Sequence, residues 1–76
     1  MNSDIERCIR KAIEGYFRDL DGEEPSGIYE MVIACVERPL LEVVLDKADG
    51  NQSRAAEMLG LNRNTLRKKM KQHGFK

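Results

Sequence analysis

Five positively charged side chains lie close together near the end of the 76-residue sequence. Between residues 62 and 71 they alternate with Asn, Thr and two apolar side chains, and this segment contains no acid. A structural helix surface normally mixes both signs of charge, whereas unpaired cations repel one another unless an anion binds to them. The phosphates of DNA are such an anion, and an α-helix fits the major groove. The segment therefore predicts DNA binding, with RNA or an acidic protein as the alternative partner.

The position of each polar side chain on the predicted last helix suggests its role. The second helix of a helix-turn-helix protein reads base edges with its N-terminal residues, so Arg63 is placed to bond guanine O6 and N7 together. Asn62 can read a base edge, cap the helix or do both, and the base-reading role of Lys68, five residues after Arg63, stays open. Most protein–DNA contacts go to the backbone. The predicted phosphate-binding residues are Asn51, Ser53, Thr65, Arg67, Lys69 and Lys71.

The formal net charge of zero hides a strong charge asymmetry along the chain. Overall, 13 Lys and Arg residues balance 13 Asp and Glu residues. Residues 50–76 carry seven of these cations and one acid, a net charge of +6. Residues 1–49 carry six cations and twelve acids, a net charge of −6. A division of this kind predicts that the basic end faces a polyanion, and residues 50–76 are called the head from here on.

Two short helices joined by a tight turn are predicted to position the basic residues of the head. The small side chain of Ala56 suits the point where the two helices cross, and leucines on both helices would hold them together. An ordinary helical hairpin with a solvated face is the alternative, but it does not explain the exclusively positive last helix. The predicted elements are a left-handed residue at Gly50, an N-cap at Asn51, a helix over 52–59, a turn at Gly60, a second cap at Asn62 and a helix over 63–72.

Two longer helices are predicted to precede the head. Apolar residues at steps of three and four predict a first helix over residues 4–20, with Ser3 and Glu6 as a capping box. A second helix is predicted over residues 26–48, although Pro39 lies inside it and should kink it. The helix is expected to continue through the proline because apolar residues recur every four positions on both sides of it.

The second predicted helix is apolar on more than one face, and a single short partner helix cannot cover such a surface. We therefore expect a homodimer whose core is formed by the first two helices of both chains; a monomer with exposed apolar surface is the alternative. The predicted fold is all-α with four helices per chain, and residues 1–49 form a dimerisation core that makes one compact domain with the helix-turn-helix of residues 50–76. The predicted dimer-core residues are Ile9, Ile13, Tyr16, Phe17, Val32, Val36, Leu40 and Val44.

Other functional classes have little support in the sequence. The sequence has one histidine, no glycine-rich phosphate loop and no recognisable nucleophile–base pair, so we expect no enzyme. Cys8 and Cys35 fall on the apolar stripes of the first two helices, so we expect two buried, reduced thiols. They share no ligand spacing with His73, so we expect no metal or other cofactor. No apolar run approaches the roughly 20 residues of a membrane span, and no signal peptide is recognisable. These features predict a cytoplasmic protein without a membrane or small-molecule partner.

Three stretches of the head form a specific pattern. They are Gly-Asn-Gln-Ser-Arg-Ala-Ala at 50–56, Gly-Leu-Asn-Arg at 60–63 and Thr-Leu-Arg-Lys-Lys at 65–69, and the proline inside the long helix agrees with them. This pattern resembles the Fis family, which is named after the factor for inversion stimulation. The resemblance implies a homodimer at the bacterial nucleoid that binds and bends double-stranded DNA and regulates transcription, with RNA polymerase as a candidate partner.

The same resemblance implies roles for individual residues. Arg63 would contact a guanine, Asn62 and Lys68 would lie near bases, and the predicted phosphate-binding residues would hold the backbone. The two heads of such dimers lie closer together than one turn of DNA. Bending and compression of the central minor groove would then let the central sequence be read through its deformability.

Two departures from the family pattern lead to separate expectations. The enterobacterial form has an N-terminal arm that activates a DNA invertase, whereas this sequence starts close to its first helix, so we expect no inversion stimulation. Met1 and the capping box favour a complete short protein. Asp49 stands where that form has an arginine, so weaker contact with flanking phosphates is expected. The same head ends the nitrogen-regulation activators that depend on sigma-54, so a fragment of such an activator is one alternative. A dimerising protein-interaction module is another.

Overall fold

Four α-helices make up the computed structural model, which describes residues 2–75, and the side chains of residues 3–75. They are α1 (Asn2–Asp19), α2 (Ile28–Lys47), α3 (Gln52–Leu59) and α4 (Arg63–Gln72). No strand occurs within residues 2–75. The predicted all-α class with four helices per chain is confirmed.

The first helix starts earlier than the sequence predicts. α1 begins at Asn2, so Ser3 lies within its first turn and is not the N-cap of a capping box with Glu6; this prediction is wrong. The carboxylate of Asp4 also lies in the first turn, where it interacts favourably with the helix dipole. A favourable charge in the first turn therefore stabilises the start of the helix.

The second helix continues through its proline, as predicted. α2 extends from Ile28 to Lys47, close to the predicted limits of 26 and 48, and Pro39 lies inside it. Leu41, two residues after the proline, is buried with 1% of its surface exposed. Tertiary packing just beyond Pro39 therefore stabilises the helix where the proline removes a backbone hydrogen bond.

Local backbone chemistry ends α2 and starts α3. Gly50 has a φ of +78°, and its N–H donates to the Leu45 carbonyl over 2.9 Å, which closes the last turn of α2. Asp49 is also left-handed, with a φ of +55°, a conformation that Asp tolerates better than most side chains. Asn51 Oδ1 then accepts from the Arg54 N–H over 3.1 Å. The predicted left-handed Gly50 and the predicted N-cap at Asn51 are confirmed.

The chain divides into two compact units, and the division falls between Val32 and Ile33. The second unit holds a core of six buried residues, because the part of α2 after Ile33 contributes apolar side chains to the same cluster as α3 and α4. Sequence reasoning placed a functional division at residue 49, whereas packing joins α2 to the head. The buried residues are Leu41, Ala48, Ala55, Ala56, Leu66 and Met70, and Val44, Leu45, Leu59 and Phe75 pack at their edge.

The first unit has no core of this kind. Among residues 3–32, none is buried. The rings of Tyr16 and Phe17 meet edge to face with centroids 5.7 Å apart, yet Phe17 keeps 49% of its surface exposed. The apolar side chains of α1 are at most partly buried.

The predicted burial of the two thiols is wrong for the single chain. Cys8 and Cys35 are both free and exposed. They lie on helices whose apolar positions the chain covers incompletely, so their place on an apolar stripe does not bury them. The predicted dimer-core residues remain accessible for the same reason: Phe17, Val36 and Leu40 are exposed, and Ile9, Ile13, Tyr16, Val32 and Val44 are partly buried.

Candidate nucleic-acid interface

A tight glycine turn joins α3 to α4 and fixes where the basic helix starts. Gly60 has a φ of +73°, and the next N–H, that of Leu61, donates to the Ala56 carbonyl over 2.9 Å. A residue with a side chain would be strained at this φ. Asn62 follows in an extended conformation and accepts from the Asn64 N–H on its Oδ1 over 2.7 Å. The predicted turn and second cap are confirmed, and the two helices form a helix-turn-helix.

The two faces of α4 differ sharply in burial. Leu66 and Met70 are buried, as predicted, and they pack against Ala55 and Ala56 of α3 within the same core. The exposed residues of α4 are Arg63, Asn64, Arg67, Lys68, Lys71 and Gln72. The buried face of α4 is therefore narrow. The rest of the helix is a broad polar face that exposes four cations to the solvent.

An acid on α2 pairs with one of the predicted DNA-contacting cations. Glu37 Oε2 lies 2.5 Å from Lys69 Nζ, and Glu37 Oε1 lies 3.0 Å from His73 Nε2. The interpretation that no acid pairs with the cations of this helix is wrong for Lys69. The error arises because Glu37 is 32 residues away in sequence. The hydrogen bond from Lys69, followed by that from His73, lowers the pKa of Glu37 below its ordinary value of 4.5, against the opposing effect of burial.

A second residue of α2 holds the end of α4. Arg38 Nη1 donates to the His73 carbonyl over 2.6 Å, and its guanidinium carbon lies 5.5 Å from the centre of the Phe75 ring. This is a cation–π geometry. Together, Glu37 and Arg38 attach α2 to the last turn of α4 and to the residues that follow it. Sequence reasoning missed this group; the available signal was a polar Glu-Arg pair interrupting an apolar helix just before Pro39.

The first turns of α3 and α4 meet at one side-chain hydrogen bond. Arg63 Nη1 donates to Ser53 Oγ over 2.9 Å, and both residues are exposed. The structure thus brings a predicted base-reading residue and a predicted phosphate-binding residue into direct contact. Asn51 and Asn62 use their Oδ1 atoms as helix caps, which leaves their side-chain NH₂ groups for an outside acceptor.

The remaining predicted site residues separate into two groups. The three base-reading candidates, Asn62, Arg63 and Lys68, are all exposed; Asn62 and Arg63 lie at the start of α4, and Lys68 lies in its middle. Among the phosphate-binding candidates, Asn51, Ser53, Arg67 and Lys71 are exposed, whereas Thr65 and Lys69 are partly buried. Within residues 3–75, no carboxylate forms an ion pair with Arg63, Arg67, Lys68 or Lys71.

Comparison with known proteins identifies the family. The model of the Fis family, described as bacterial regulatory proteins, matches residues 33–73. The chain belongs to the Fis family. The match covers almost the whole second compact unit, including the α2 residues that pack against the head. The family resemblance inferred from the head sequence is confirmed.

Individual relatives extend the Fis-family similarity to nearly the whole chain. A Fis-like DNA-binding protein of Ralstonia nicotianae is 63% identical over 71 residues, which are 93% of this chain and 92% of the relative. A Fis-like DNA-binding protein of Neisseria meningitidis serogroup A is 61% identical over 72 residues, or 95% of this chain and 91% of the relative. The DNA-binding protein Fis of Glaesserella parasuis is 48% identical over 67 residues, or 88% of this chain and 68% of the relative.

The part of the chain that the structure describes contains no group of three or more potential metal-binding side chains. Over the same residues, no helix is long and apolar enough to span a membrane.

Proposed function

We propose that this protein binds double-stranded DNA as a homodimer, with α4 in the major groove, and that it bends the DNA in regulating transcription and organising the nucleoid. The observation that carries the proposal is the exposed face of α4, where Arg63, Arg67, Lys68 and Lys71 have no acidic partner among residues 3–75. Four unpaired cations on one helix face favour a polyanion. The family description and the DNA-binding names of the relatives support the same choice.

Base reading is assigned to the start of α4. Arg63 is its first residue and is exposed, which suits a bidentate contact with guanine O6 and N7. The free NH₂ group of Asn62 can donate to a neighbouring base edge, and Lys68, which is exposed on the same helix, would lie near the bases. These three side chains would supply the sequence preference.

The phosphate contacts are assigned to a wider set on α3 and α4. Asn51 and Ser53 lie at the start of α3, where backbone N–H groups also favour an anion. On α4, Thr65, Arg67 and Lys71 would hold the adjacent backbone. Lys69 would contribute least, because Glu37 already neutralises its ammonium group.

Homodimerisation is proposed because the predicted dimer-core residues remain accessible in the single chain. A second copy would cover them, and the acidic N-terminal residues would then turn away from DNA while the two heads face it. Two heads closer together than one turn of DNA would require bending, with RNA polymerase a candidate partner of the bound dimer.

A salt titration tests the DNA-binding proposal. Binding of a labelled random-sequence duplex, followed by fluorescence anisotropy, should weaken steeply as salt rises, because bound phosphates release counterions. Lys71→Ala should weaken binding evenly across sequences and lower the slope of log K against log salt by about one. The matched control is Lys11→Ala, which removes an exposed lysine on α1 and should leave the slope unchanged.

Three results would contradict the proposed function. Absence of binding at low salt would remove the DNA-binding proposal in favour of an acidic protein partner. Equal slopes for Lys71→Ala and wild type would remove the assigned role of α4. Tighter binding to duplex RNA than to duplex DNA would change the proposed ligand.

A further inference from the structure

The hydroxyl group of Ser53 lies directly against the side chain proposed to read guanine. Arg63 Nη1 donates to Ser53 Oγ over 2.9 Å, although the two residues are ten positions apart in sequence. Ser53 lies in the first turn of α3, and Arg63 is the first residue of α4. Within residues 3–75, no other hydrogen bond or ion pair holds this guanidinium group. Its direction in the unbound protein is therefore set by one serine.

We propose that Ser53 is a positioning residue that aims the Arg63 guanidinium at guanine and thereby strengthens the preference for that base. The proposal rests on the base-reading role proposed for Arg63. A guanidinium group has five N–H donors, and the bond to Ser53 occupies one of them. The other donors remain for guanine O6 and N7. Because a long arginine side chain loses rotamer freedom when it binds, fixing it beforehand favours the productive geometry.

The same hydroxyl group can also contact the DNA backbone. Ser53 Oγ accepts from Arg63, while its own hydrogen remains free to donate to a phosphate oxygen. One oxygen atom would then connect a backbone contact to a base contact. This arrangement differs from a simple phosphate contact, because a residue that holds only phosphate positions the protein without changing which base is preferred.

The experiment compares base discrimination among variants of the full chain. Two duplexes are taken from the wild-type binding site and differ in one half-site, where the guanine contacted by Arg63 is replaced by adenine. The ratio of their dissociation constants measures discrimination, and about ten-fold is expected for wild type. Ser53→Ala should reduce this ratio by about five-fold, because the arginine side chain then loses its rotamer freedom only on binding guanine. Ser53→Thr, which keeps the hydroxyl group, should restore the wild-type ratio.

Two further variants separate positioning from phosphate binding. Thr65→Ala removes another hydroxyl group assigned to phosphate, so it should weaken binding to both duplexes equally and keep the ratio. In an Arg63→Ala background, Ser53→Ala should cause no further change in the ratio, because the side chain it positions is gone. Thermal unfolding midpoints should agree between Ser53→Ala and wild type, since Ser53 is exposed.

Each alternative outcome has a definite meaning. A wild-type ratio preserved in Ser53→Ala overturns the proposal and leaves Ser53 as a phosphate contact. An equal loss of discrimination in Thr65→Ala, or no rescue by Ser53→Thr, also overturns it. If wild type binds both duplexes equally, the base-reading role of Arg63 fails first, and the positioning role of Ser53 fails with it. If wild type binds neither duplex, the DNA-binding proposal itself fails.

Discussion

The two compact units of this chain are stabilised in different ways. The unit that begins at Ile33 buries six apolar residues between α2, α3 and α4, and Leu41 and Leu66 each keep 1% of their surface exposed. Among residues 3–32, none is buried. An isolated helix of the length of α1 is marginal in water without tertiary packing. The surface proposed to bind DNA therefore rests on a core inside one chain, whereas α1 depends on apolar cover that its own unit does not supply.

The same comparison explains how charge is arranged. Residues 1–49 carry more acids than cations, and residues 50–76 carry more cations than acids. This distribution matches the proposed division between dimer core and head. Glu37 is an exception, because its carboxylate holds Lys69 and His73 of the basic end. One acid thus contributes to the structure of the head, while the exposed cations of α4 keep their charge unpaired.

The largest effect is expected from a charge placed on the apolar stripe of α1. In the proposed dimer, Ile13→Asp would bury an unpaired carboxylate in each chain, at a cost of about 3–5 kcal/mol per copy. The dissociation constant of the dimer should rise by at least about a thousand-fold, which sedimentation velocity would detect as a shift to monomer. Hydrogen exchange should show that the amides of α3 and α4 stay protected, because their core lies inside one chain.

A control for this variant is Ser3→Asp, which adds the same charge to the first turn of α1, where the helix dipole favours it. It should leave the dimer intact. The comparison between the units breaks down if Ile13→Asp remains a dimer, or if it abolishes the protection of α3 and α4 together with that of α1.

The second-largest effect is expected when a buried side chain is removed from the core of the second unit. Leu66→Ala removes a fully buried side chain from α4 and should lower the free energy of unfolding by about 2–5 kcal/mol. Calorimetry at fixed protein concentration would measure the loss, and α3 and α4 should lose exchange protection. Met58→Ala on α3 is the control, because Met58 is 50% exposed and its truncation should cost less than about 0.5 kcal/mol. Similar losses in both variants would contradict the assigned core.

A smaller effect is expected from the acid that holds the end of α4. Glu37→Gln keeps the size of the side chain but removes the charge that binds Lys69 and His73, so unfolding should become easier by about 1–2 kcal/mol. Glu42→Gln is the matched control, because Glu42 lies on the same helix and is exposed. Equal unfolding midpoints for Glu37→Gln and wild type would show that this contact does not stabilise the head.

The pH dependence of stability follows from the same carboxylate. The pKa of Glu37 is lowered below its ordinary value of 4.5, mainly by the hydrogen bonds from Lys69 and His73. Its stabilisation is therefore fully present above the unfolded pKa and is lost as the pH falls through the folded pKa. Below pH 4.5, the difference in unfolding midpoint between wild type and Glu37→Gln should shrink. A difference that grows as the pH falls would reverse the assigned direction.

The parts of this fold that local chemistry determines could be predicted from the sequence. The limits of α3 and α4, the caps at Asn51 and Asn62, the left-handed Gly50 and the turn at Gly60 depend on neighbouring residues, and the structure agrees with each of them. Continuation of α2 through Pro39 was also predictable, because apolar residues recur every four positions on both sides of the proline.

The parts that depend on distant residues could not be predicted. The pairing of Glu37 with Lys69 joins positions 32 residues apart. The polar Glu37-Arg38 pair in an apolar helix marks Glu37 as unusual, but it does not indicate which residue Glu37 binds. The hydrogen bond from Arg63 to Ser53 depends on how the helix-turn-helix orients two first turns. Burial of Cys8 failed as a prediction because an apolar stripe shows which face needs cover but not whether the same chain covers it.

Sedimentation of the full chain with a short duplex tests most directly whether the head binds DNA while a second copy completes the N-terminal core. Multi-wavelength detection would separate the absorbance of protein from that of DNA and count the chains in each complex. We expect a dimer in the absence of DNA and two chains on each duplex that holds one binding site. A stable monomer that binds the duplex as a single chain would contradict this assembly.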